Sequence, residues 1–248
     1  MKTNYLNTFL IAALILTLSA CGSESESTIE TPMSEVDLGI QTAVTNTVIV
    51  AVDDFSQSIT TLNTDIDAFC SSVNSGNLTT LQNSWMTSFI NWYALMPFQV
   101  GPLTLTDDNS AILNYVDFYR NASNATRTSN LNDINTGLST LMSGGPITEA
   151  SLSNSLAKNV GLLVLETSIF STISGSEANV DIITEFTGPS KKCDIIQALG
   201  YELNERATYI QSQWKINYRD KGISYLTLLT SNQLENYFIS EDAQGDGI

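Results

Sequence analysis

The chain contains no histidine. That lack excludes Ser-His-Asp and Cys-His nucleophile systems, and the H-E-x-x-H zinc site with them. Any metal site would have to be built mainly from carboxylate, hydroxyl and carbonyl oxygens. Basic residues are scarce too, 10 against 26 acidic ones, for a net charge of −16. A surface of that sign repels phosphate backbones and anionic headgroups, so nucleic acid is excluded as a partner. Sustained alternation of apolar and polar residues is missing, which argues against strands. No internal repeat is visible.

What is present begins with the N-terminus. Lys2 supplies a positive start, Phe9 to Leu18 is an almost unbroken apolar run, and Leu18-Ser19-Ala20-Cys21 closes it with small residues. Charged start, apolar stretch and small-residue cleavage site together make a secretory signal. The apolar run is too short for a permanent membrane span. The cysteine after Leu-Ser-Ala resembles the bacterial lipobox, whose thiol takes a diacylglycerol before cleavage; the alternative is an ordinary secreted chain with an incidental Cys21. Gly22 rather than Asp follows, which implies an outer-membrane lipoprotein facing the periplasm. Residues 1–20 are thus expected to be a signal peptide, and residues 21–35, acidic and without an aromatic, a flexible tether. With Cys21 acylated, Cys70 and Cys193 remain as an even pair. An oxidising compartment favours their disulfide, and two buried thiols are the alternative.

Beyond the tether the sequence reads as helices. Ile40, Val44, Val48, Val52, Phe55, Ile59, Leu62, Ile66 and Phe69 form one stripe along a long helix. Gly76-Asn77 breaks it, with Asn77 as the expected N-cap of a second helix bearing Leu78, Leu81, Trp85, Phe89, Tyr93 and Met96. A short helix carries Ile112, Val116 and Tyr119, and another carries Leu131, Ile134, Leu138 and Leu141 before Gly144-Gly145-Pro146. Residues 171–187 read as loop. Gly188-Pro189 opens a last strong helix with Ile196, Leu199, Leu203, Ile210 and Trp214. The fold class is therefore all-α, a helical bundle. Thr230-Ser-Asn-Gln233 looks like a capping box starting one more helix.

Three polar clusters invite chemistry. Ser155-Leu-Ala-Lys158 matches S-x-x-K, but no Ser-Asp-Asn or Lys-Thr-Gly follows, and a solvated helix face is the better reading. Asp107-Asp108-Asn109 reads as a helix N-terminal cluster, and Asp242 to Gly247 has the flavour of a calcium loop without its closing Glu. Glu166 stands apart. Its neighbours in Val160-Gly-Leu-Leu-Val-Leu-Glu-Thr-Ser-Ile-Phe170 should be buried, so its carboxylate must be paired, hydrogen-bonded or protonated.

Three blocks in order carry a family resemblance. Phe69-Cys70, Leu81-x-x-x-Trp85 and Trp92 leading to Gly101-Pro102 resemble the opening block of the imelysin family. Gly161-Leu-Leu-Val-Leu-Glu166, closed by Ile169-Phe170, is similar to its second block, and Lys192-Cys193 through Trp214 to its Arg-Cys helix. The resemblance covers about residues 36–218. It implies a periplasmic or lipid-anchored all-α protein, in a family that includes a membrane protease, iron-regulated proteins and relatives in iron-uptake systems. The family signature G-x-H-x-x-E, proposed to bind metal, falls on Gly161, Leu163 and Glu166, with leucine where the histidine stands. Glu166 is left as the residue that could touch a cation, iron or another. The expectation is a non-catalytic binding component of the envelope, linked to iron or metal acquisition and to an uptake or envelope partner. The alternatives are a metallopeptidase and a helical interaction module without a small-molecule site. The family fold has two helical parts, so residues 36–218 are expected to form one and residues 219–248 the start of a truncated second.

Overall fold

The computed structural model describes residues 35–107, 110–120, 127–152, 155–188 and 191–231. Cys21, the signal, the tether up to residue 34, Pro189, the helix expected after Thr230 and the acidic loop at 242–247 lie outside the described residues, and Glu35, expected to end the tether, already opens a helix. The long first stripe is carried by α1 (Glu35–Ala43), a π-helical stretch (Val44–Ile49) and α2 (Val50–Ser71). Five of the six residues in Val44-Thr-Asn-Thr-Val-Ile49 are β-branched, which crowds an α-helical backbone. The widened turn there shifts the phase of the stripe: Val48, Val52, Phe55, Ile59, Leu62, Ile66 and Phe69 are buried, whereas Ile40 is exposed.

Then follow α3 (Ser75–Leu95), a two-residue antiparallel pair β1 (Thr106–Asp107) and β2 (Ser110–Ala111), α4 (Ile112–Val116), α5 (Arg127–Ser143), α6 (Leu162–Phe170), α7 (Asn179–Thr187), α8 (Lys192–Lys215) and α9 (Tyr225–Thr230). The molecule is all-α, the β pair being a small clasp. Several boundaries differ from expectation. Asn74, not Asn77, caps α3: its side chain accepts from the Asn77 N–H at 2.9 Å, while Asn77 donates to the Ser72 carbonyl at 2.8 Å. The cap bond reaches the third residue of the helix, as such bonds do. Asp107 sits in the β clasp, not at a helix start, since α4 begins at Ile112. Residues 179–187, read as loop, form α7. Propensity there is poor, and packing supplies what it lacks: Ile182 and Phe186 are buried, with the Phe186 ring 4.9 Å from that of Phe69. α8 starts at Lys192, three residues after the proline expected to begin it. Thr230 is the last residue of a helix that Ser224 caps.

The frame is an antiparallel hairpin, α2 and α3, with α8 laid against α2. Asn91 Nδ2 reaches the Asp54 carbonyl across the hairpin, and Ser84 Oγ donates to Asp65. α2 and α8 are joined at both ends. At one, Cys70 and Cys193 are disulfide-bonded with Cα atoms 5.6 Å apart; at the other, Lys215 Nζ lies 2.8 Å from Asp53. Midway, a Cβ on Gly200 would fall 2.4 Å from Asn63 Oδ1 and 2.7 Å from Ile66 Cδ1, so any side chain there would have to push these two aside. The core between them holds Phe55, Ile59, Leu62, Ile66, Leu199, Leu203 and Ile210, all fully buried. Among the described residues, no helix is long and apolar enough to cross a membrane.

Candidate functional site

The Gly161–Glu166 segment opens α6, and its geometry follows from what surrounds it. Gly161 has φ +95°, and a Cβ there would meet the Val116 carbonyl oxygen at 2.6 Å and that of Tyr115 at 2.8 Å. The segment can therefore lie on the α4 backbone only as glycine. α3 holds α6 from the other side: Trp85 Nε1 donates to the Leu162 carbonyl and Gln82 Nε2 to that of Ile169, each at 2.9 Å. Gly101, in the turn before Pro102, has φ +48°, and a Cβ there would sit 2.3 Å from the Tyr225 ring. Pro102 is buried beside it. Burial, with Tyr218 adding to it, pushes the Tyr225 phenol up to about 12. Both glycine positions are thus joints at which another element is seated directly on the backbone.

Around the first joint lie charged groups that the sequence reading missed. Asp117, at the end of α4, is buried; Trp92 Nε1 donates to its Oδ2 at 3.3 Å, and Arg120 Nη1 to its carbonyl oxygen at 2.9 Å. Burial raises its carboxyl above the usual range, against the Trp92 bond and the Arg120 charge. On α8, Glu202 is buried and accepts from Arg206 Nε at 2.6 Å, with the Arg206 guanidinium 4.2 Å from the centre of the Tyr115 ring. The i,i+4 spacing of Glu202 and Arg206 inside the α8 stripe was the available signal. For Asp117 it was a lone acid in the aromatic run Tyr115 to Tyr119. A second buried pair, Lys192 with Glu185, joins α8 to α7; burial lowers the Lys192 ammonium and Glu185 opposes that shift.

Of the signature residues themselves, Glu166 is half-buried and engaged by a neighbouring group, and Leu163 is half-buried against the apolar core. Beside α6 is a cavity of about 420 Å³, bounded by α5, the segment around the 3-10 turn Ala157–Asn159, and α6. Ile134, Leu138, Leu152 and Val164 line it and are buried; Asp133 and Lys158 line it at exposed positions. Ser155 and Lys158 both belong to this lining and lie at the turn, not along a helix face.

A family model for imelysin matches residues 49–244. The chain belongs to the imelysin family. A crystal structure of an imelysin-like protein from Psychrobacter arcticum superposes with a TM-score of 0.56 at 18% identity, covering 84% of this chain and 61% of that one. The present chain thus spans about three-fifths of that relative's length, and the likeness concerns the fold. No curated protein matches. The metal that the imelysin signature implies can be tested against the donors present. Leu163 offers none, the chain has no histidine, and among the described residues no three His, Cys, Asp or Glu side chains are grouped to hold an ion. One carboxylate does not suffice where transition metals want several nitrogen, sulfur or oxygen ligands and hard cations six or more oxygens. The residues at the signature do not fit a metal.

Proposed function

We propose that this imelysin-family chain is a non-catalytic binding component of the bacterial cell envelope. Cys21 carries its lipid anchor in the outer membrane, with the folded part facing the periplasm. The observation that carries the non-catalytic reading is the leucine at position 163, packed on the core where the family signature has its histidine. Metal-assisted hydrolysis needs an ion with an open position to activate water, and Glu166 with Leu163 supplies too few ligands to hold one. The link to iron or metal acquisition rests on the family resemblance, and in this reading the chain works beside an uptake partner rather than as a holder of the ion. Acyl chains on Cys21 would give stable attachment where a single chain gives only reversible binding.

The test is a protease assay on the purified chain with added zinc, iron or calcium, run beside Glu166→Gln. No hydrolysis is expected from either. Robust metal-dependent cleavage that vanishes in the variant would overturn the proposal in favour of a peptidase. Expression compared in iron-replete and iron-depleted medium tests the second part, and an unchanged level would remove the acquisition link.

A further inference from the structure

We propose that the cavity between α5 and α6 binds a small zwitterion with a hydrocarbon body, an apolar α-amino acid or a dipeptide of such residues. This deepens the binding-component reading and rests on it. The volume, about 420 Å³, falls within the roughly 300–1,000 Å³ usual for small-molecule sites. Its charge is what selects the ligand. In a chain of net charge −16, the lining carries one acid, Asp133, and one base, Lys158. Neither enters an ion pair among the described residues. Tyr119 touches both segments: its hydroxyl donates to the Lys158 backbone carbonyl at 3.2 Å, and the Asp133 charge adds to the burial that raises its phenol.

A bare cation would find one carboxylate, and an anion such as phosphate one ammonium. A fatty chain would cover the Asn159 amide and the Asp133 and Lys158 charges without satisfying them, the Thr136 and Thr140 hydroxyls already donating to carbonyls one turn back. A zwitterion answers both charges at once, and the buried Leu138 and Val164 receive its side chain. A trough on the other side of Thr136 and Thr140 extends the surface, and Asn135, which lines it, has a buried Oδ1 with no hydrogen-bond partner. A peptide N–H running into that trough would supply the donor.

Calorimetric titration of the purified chain with L-leucine and with leucyl-leucine tests this. Binding of free leucine identifies a free amino acid as the ligand class, and binding of the dipeptide alone identifies a peptide. N-acetyl-leucine and leucine amide each lack one charge and should bind at least about tenfold more weakly, as should either ligand to Lys158→Glu. Gly137→Leu is the filling variant. A Cβ there meets only Asn159 Oδ1, at an ordinary 3.8 Å, so the helix should keep its melting temperature while the cavity is closed and binding is lost. No heat from either ligand at millimolar concentration would overturn the proposal, and so would binding indifferent to Gly137→Leu or to the missing charges. Those failures leave the protease assay silent and the non-catalytic reading intact; metal-dependent cleavage would strike that reading instead.

Discussion

At Gly161 a methyl group has nowhere to go. The backbone conformation disfavours any L side chain, and two α4 carbonyl oxygens already occupy the space. Gly161→Ala should cost about 2–4 kcal/mol, read as a lower urea midpoint at unchanged slope. Asp117 makes the opposite kind of prediction. Its folded pKa is raised, so the stability it contributes is complete below the unfolded carboxyl value of about 3.8 and is lost as pH climbs through the folded value. Asp117→Asn should therefore leave stability unchanged at pH near 3 and raise it at pH 7, with Asn Oδ1 still accepting from Trp92. Urea midpoints of parent and variant across that range decide the matter, and a variant less stable at neutral pH would show that the charge is needed. Sequence reading found Gly161 and Glu166 through a motif. It missed Asp117, Glu202 and Arg206 because a charged letter among apolar ones looks the same whether it points to solvent or to a partner brought from another helix.

Among the elements, those with a strong stripe were legible and those held by their neighbours were not. α2, α3, α5 and α8 announce themselves by apolar residues every three or four positions. α7 does not: Asn179-Val-Asp-Ile-Ile-Thr has little helix propensity, and what stabilises it is Phe186 on Phe69 together with Glu185, which pairs with Lys192 and accepts from the Ile173 N–H at 3.1 Å. The cavity was invisible for a similar reason, since Asp133 on α5 and Lys158 in the turn Ala157–Asn159 come to line one cavity only through packing. The bond from α2 to α8 closes a sequence separation of 123 residues. Chain-entropy arguments assign such a closure about 4–5 kcal/mol. The double variant Cys70→Ser, Cys193→Ser should lose about that much in a denaturant titration, and a loss below about 1 kcal/mol would mean that helix packing alone sets the geometry.

For the molecule as a whole, the proposed anchor at Cys21 would decide where the fold works. Cys21→Ser should abolish labelling by a fatty-acid probe and move the protein from the membrane fraction to the soluble one; labelling that persists would place the acyl chain elsewhere. The disulfide carries a further consequence for how the protein reports damage. Cys70 and Cys193 bracket α3 through α7, and with them both walls of the cavity. A backbone cut anywhere in that span divides the chain into two pieces that stay covalently joined. A clipped molecule would run at full mass on a gel without thiol and separate into two bands only when thiol is added. Wear in the surface turns around Gly144 or Lys158 would thus accumulate without shedding a fragment.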